Sequence, residues 1–96
     1  MVDVRERYGA FVGGETLPPG EETLTTCDPA TGEAIAEVAV ASEDDVDRAV
    51  RTAREAFPAW RDTDPERRGR LVGAVAETVR EHADELAALE TLDQGK

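Results

Sequence analysis

The sequence is poor in the residues that most often carry chemistry. Its 96 residues include one cysteine (Cys27), one histidine (His82) and one lysine (Lys96). A single cysteine forms no internal disulfide. One cysteine and one histidine, far apart in sequence, do not make a zinc site. No apolar run approaches the roughly 18 residues that a membrane helix needs. The start, "MVDVRERYGAFVGGE", has no apolar stretch of signal-peptide length. These shortages lead to the expectation of a cytoplasmic chain without a membrane span. Large core-forming side chains are also few: six Leu, one Ile, two Phe, one Trp and one Tyr. A chain this short buries only about 60–65% of its unfolded surface, so the core is thin for a free-standing fold.

Positive charge is scarce as well. Twenty-two acidic residues face eleven basic ones, for a net charge of −11. Nucleic acid and anionic membranes repel such a chain. No basic patch with interleaved aromatics is present, so neither is expected as a partner. Two explanations exist for the acidity, a disordered acidic tail or a solvated surface adapted to high salt. The charge is spread along amphipathic segments rather than run together. That favours the second, with screening relieving the self-repulsion, and a halophilic origin is expected.

The composition changes near Ala41. Residues 1–41 read as a strand and turn region, and residues 42–96 as helices. "YGAFVGGET" alternates loosely into a Gly13-Gly14 turn. Pro18-Pro19-Gly20 is a loop. "ETLTTC" and "AIAEVAV" read as strands joined by a "DPATGEA" turn, in which Pro29 fixes φ and Gly32 is free to take positive φ. Two or three short strands are expected, and two alone are rarely stable in water.

Ser42 then serves as N-cap with Asp45 at N3, and acidic residues in the first turn face the helix dipole. Val46, Ala49, Val50, Ala53, Phe57 and Trp60 fall on one helical face. Asp44–Arg48 and Asp47–Arg51 have the spacing of supporting ion pairs. Pro58 is expected to end or kink this helix. "TDPE" predicts a second start, with Thr63 as N-cap and Glu66 at N3. Leu71, Val72, Val75, Ala76 and Val79 form its apolar face. The pattern continues through His82, Leu86, Leu89 and Leu92, as one long helix or as two with a break near His82. The apolar faces are broad enough to pack on each other and still leave surface for another element.

Candidate chemistry is sparse. Cys27 has no neighbouring histidine in sequence and reads as a small apolar filler. His82 sits on an apolar helical face and reads as packed or at its edge. Glu21-Glu22, Asp44-Asp45 and Glu81 with Glu85 read as solvated faces. "GGE" and "PPG" lack the strand–loop–helix context of a phosphate cradle. The residues themselves define no active site.

Three stretches in order, "YGAFVGGE", "TCDPATGEAIAEVAVASEDDVDRAVRTAREAFPAW" and "ERRGRLVGAVAETVREHADELAALETLDQGK", resemble the N-terminal part of the aldehyde dehydrogenase superfamily. The resemblance runs from about Tyr8 to Lys96. It rests on an Asp-Pro-Ala-Thr-Gly-Glu turn, a helix with Asp-Val-Asp-x-Ala-Val, a following Trp, and the ending Glu-Thr-Leu-Asp-x-Gly-Lys. It implies an α/β fold in which short N-terminal strands precede two or three amphipathic helices, part of an incomplete Rossmann-like domain. It also implies a parent enzyme that oxidises aldehydes to carboxylic acids by hydride transfer to NAD or NADP. The family's catalytic Cys and Glu, its oxyanion-hole Asn and its cofactor core have no counterparts in these 96 residues, and Cys27 does not match the catalytic Cys. No catalytic or cofactor-binding residue is therefore expected here. The Gly-Lys ending, where the family continues, leads to the expectation of an N-terminal fragment that is inactive alone. Its partner would be the remainder of a homo-oligomeric enzyme, or a second chain in a split enzyme. A non-catalytic acidic helical interaction module is the alternative. The resemblance further implies a structural monovalent cation, K⁺ or Na⁺, with Thr26, Cys27 and Asp93 at the matching ligand positions.

Overall fold

The computed structural model describes residues 2–18 and 20–95. Pro19 of the expected Pro-Pro-Gly loop and Lys96 of the Gly-Lys ending lie outside the described residues. Five short strands come first: β1 (Arg7–Tyr8), β2 (Phe11–Val12), β3 (Glu15–Thr16), β4 (Thr23–Cys27) and β5 (Ala34–Ala39). Three helices follow: α1 (Glu43–Asp62), α2 (Pro65–Glu81) and α3 (Ala83–Gln94). Among the described residues, five strands therefore replace the two or three expected, because residues 7–16 contribute three separate two-residue strands.

β5 is the centre of a three-stranded sheet of order β1-β5-β4. It runs parallel to β1, with Arg7 opposite Glu37, and antiparallel to β4, with Leu24 opposite Val38. The Arg7 Nε atom lies 2.8 Å from Glu37 Oε2, so the parallel register is reinforced by an ion pair. β2 and β3 form a separate hairpin. Its two-residue turn has Gly13 at φ 61° and Gly14 at φ 82°. Both positions are left-handed, and the expected glycine pair meets that requirement without a Cβ clash.

Ser42 caps α1 as its sequence predicts. Its hydroxyl accepts from the Asp45 N–H at 3.1 Å, and the Asp45 carboxylate accepts from the Ser42 N–H at 3.0 Å. Pro58 lies inside α1, which runs on to Asp62. Losing one N–H donor does not stop a helix whose flanking turns stay bonded. Of the two expected ion pairs, Asp47–Arg51 forms at 3.3 Å; Asp44–Arg48 is absent among the described residues.

The corner after α1 differs from expectation. Thr63 is the C-cap of α1 rather than the N-cap of α2. Its hydroxyl donates backwards to the Ala59 carbonyl at 2.7 Å, which removes it from capping duty. Asp64 takes the N-cap position without a side-chain hydrogen bond, and Pro65 opens α2. At His82 the backbone turns to φ −106°, ψ 17°, and the two-helix alternative is the one realised. His82 is exposed, its Nδ1 lying 3.4 Å from Glu85 Oε2.

The interior is small. Leu17 and Ala36 are the buried apolar residues among those described. Meanwhile Val46, Val50, Phe57 and Trp60 on α1, and Leu71, Val72, Val75 and Val79 on α2, are 44–64% exposed. The helices do not pack face to face as the sequence allowed, and the body measures 49 × 33 × 17 Å. The accessible surface is 7860 Å², against about 5,400 Å² for a compact monomer of this mass. The radius of gyration is 16.8 Å, against about 12.5 Å for a compact domain of this length.

Candidate functional site

The strand region and the far end of the helical region meet at one place. The turn between β4 and β5 is built by Asp28, whose carboxylate accepts from the Ala30 N–H at 2.8 Å. Its carbonyl accepts from the Gly32 N–H at 2.7 Å. Gly32 takes φ 78°, as its place in the turn predicts. Pro29, projecting from this turn, abuts Gly95, the left-handed C-cap of α3 at φ 74°. A Cβ on Gly95 would come within 3.0 Å of the Pro29 ring, so only glycine combines this backbone angle with this approach.

Two residues before Gly95, the Thr26 hydroxyl donates to Asp93 Oδ1 at 2.6 Å. The second Asp93 oxygen lies 3.4 Å from Gln94 Nε2. Two of the three residues matching the cation positions are thus brought into contact. Cys27 follows Thr26 where the β4–β5 register shifts, and its side chain is exposed. Among the described residues, no group of three His, Cys, Asp or Glu side chains is gathered as for a metal ion. Hydroxyl and carboxylate oxygens are the kind that suit a hard cation rather than zinc. The α3 carbonyl end, with no basic residue in its last turn, adds negative potential at the same spot.

Two clefts flank this contact. One of about 320 Å³ is lined by Tyr8, Ala36, Val38 and Leu89 beside Thr26 and Asp93. The other, about 860 Å³, lies between the chain start and α3 and is lined by Val2, Ile35, Ala88 and Leu92 together with Asp3, Asp28 and Glu33. Both are largely apolar troughs without a nucleophile–base pair. Sequence reasoning missed two features. The Thr26 hydroxyl donates directly to Asp93, and Arg68 reaches back to the end of α1. Neither contact has a local sequence signal, because the partners' approach depends on the fold.

The structure is a thin α/β layer whose helices carry exposed apolar faces. The profile of the aldehyde dehydrogenase family matches residues 17–96, and the chain belongs to that family. It is 41% identical over 97 residues to aldehyde dehydrogenase [NAD(P)+] 1 of Saccharomyces cerevisiae, a match covering 99% of this chain and 19% of the yeast protein. The structure of HpcC from Thermus thermophilus superposes with a TM-score of 0.85 at 41% identity, over 91% of this chain and 17% of that one. Aldehyde dehydrogenase C from Pseudomonas syringae, a mutant complexed with NAD⁺ and octanal, gives a TM-score of 0.87 at 36% identity, over 96% and 19%. The chain thus corresponds to the N-terminal region of NAD(P)-dependent aldehyde dehydrogenases and spans about a fifth of their length. No helix among the described residues is long and apolar enough to cross a membrane.

Proposed function

We propose that this chain is the N-terminal scaffold of an NAD(P)-dependent aldehyde dehydrogenase and is inactive by itself. The observation that carries the reading is the match to that family over residues 17–96, joined to apolar helix faces left open along α1 and α2. In the whole enzyme, a bound NAD(P) would supply the hydride acceptor for aldehyde oxidation. This stretch contributes no group to that step; it supplies strands and outer helices around the cofactor domain. Its partner is the remainder of the enzyme, on the same chain or on a second one, within a homo-oligomer in the cytoplasm. The test is to express the 96 residues with a polypeptide corresponding to the rest of such an enzyme. Nicotinamide reduction that requires both supports the reading. A cooperative, monomeric thermal transition for the 96 residues alone, with no restored activity, favours the acidic interaction module instead.

The same reading includes a monovalent cation held by oxygens of Thr26, Cys27 and Asp93. The support is the Thr26–Asp93 contact of 2.6 Å beside the carbonyl end of α3. In the whole enzyme, Asp93→Ala is expected to remove the dependence of thermal stability on K⁺ or Na⁺; an unchanged dependence rejects the site. The acidity, −11 over 96 residues, supports a halophilic source. Stability is expected to rise from low to molar salt as self-repulsion is screened, and a fall would count against it.

A further inference from the structure

We propose that Arg68 is the pin that sets the corner between α1 and α2, acting as a point cation on the carbonyl end of α1. The last four carbonyls of a helix lack intrahelical partners. In α1, Thr63 satisfies two of them: its hydroxyl takes Ala59 O and its N–H takes Trp60 O at 3.2 Å. Arg68, from the first turn of α2, reaches back over the corner. Its Nη1 lies 3.0 Å from Arg61 O, 3.1 Å from Thr63 O and 3.5 Å from Trp60 O. A guanidinium at this position also meets the negative end of the α1 dipole. Among the exposed residues of α2, Arg68 is half-buried.

The corner has little else to hold it. The two helices share no extended packing, and Asp64 caps α2 without a side-chain hydrogen bond. Their relative direction decides whether the apolar stripes of Val50, Phe57 and Trp60 and of Leu71, Val75 and Val79 present one surface or two. Arg68 therefore positions the surface that a covering partner would read, whatever reaction the whole protein performs. All three contacts converge on one nitrogen rather than using the two-pronged fork of arginine. A lysine ammonium, itself a compact donor, is expected to serve in its place.

The test uses paired spin labels on Glu55→Cys and Ala74→Cys, with Cys27→Ser, in the 96-residue chain, read as a distance distribution with far-ultraviolet circular dichroism alongside. The expected result is a narrow distribution for the unsubstituted corner and for Arg68→Lys. Arg68→Met, of similar reach but without charge, is expected to lose the narrow peak. Loss of helicity in Arg68→Met that Arg68→Lys does not share supports the proposal equally. It is overturned if Arg68→Met keeps the narrow peak, if Arg68→Lys behaves like Arg68→Met, or if the corner is broad with Arg68 intact.

Discussion

Thr26 and Asp93, 67 residues apart in the chain, share a hydrogen bond of 2.6 Å from hydroxyl to carboxylate. It ties strand β4 to the last turn of α3. Asp93→Ala and Thr26→Val are each expected to destabilise the chain by about 1 kcal/mol, the usual net value of one hydrogen bond. The double variant should lose little more than either alone. Urea unfolding of all four forms measures that coupling, and additive losses would show that the bond contributes nothing as a pair.

Ser42 and Asp45 close a reciprocal cap on α1. Ser42→Ala is expected to cost about 1 kcal/mol, seen as a lower urea midpoint with an unchanged slope. Ser42→Asp, which keeps an acceptor at the same place, should recover most of it. Equal losses in the two variants would remove the cap from the account.

Gly9 lies directly beneath the backbone of Leu17, the most buried residue described. A Cβ at Gly9 would run into the Leu17 carbonyl oxygen. Gly9→Ala is expected to lower stability by about 1–3 kcal/mol, as overpacking does. Gly20→Ala, where a Cβ meets nothing within 4 Å, is the control and should stay close to the unsubstituted chain in thermal melting.

Val75 is 64% exposed on α2. Val75→Glu should change the stability of the 96 residues alone by no more than about 0.5 kcal/mol, as surface substitutions do. The same change should abolish restored activity when the chain is combined with the rest of the enzyme, because a carboxylate would be buried against apolar atoms. Undiminished complementation would mean that this face of α2 stays open in the assembled protein.

Local signals in the sequence placed most elements. The Ser42–Asp45 box, the glycine pair at 13–14, the Asp28–Gly32 turn and the apolar period of α1 each rest on contacts within a few residues, so they are legible in the chain. The misplaced features lie where two local options compete. Thr63 could cap forward or bond backward, and the Ala59 carbonyl drew its hydroxyl. Pro58 could end or kink α1, and the helix runs past it to Asp62. At the candidate site, Asp93 and Thr26 were each marked through resemblance. Their side-chain contact was not, because no local pattern links positions 67 residues apart.

The sequence by itself determined the order of strands before helices, the acidic surface and the apolar stripes, because propensity, capping and periodicity act over one or two turns. Only the tertiary structure decided that β5 takes the centre between β1 and β4, that α3 returns its glycine cap to Pro29, and that the stripes of α1 and α2 stay exposed instead of closing on each other. Those outcomes depend on which distant surfaces meet. With just Leu17 and Ala36 buried among the described residues, few such meetings occur within these 96 residues.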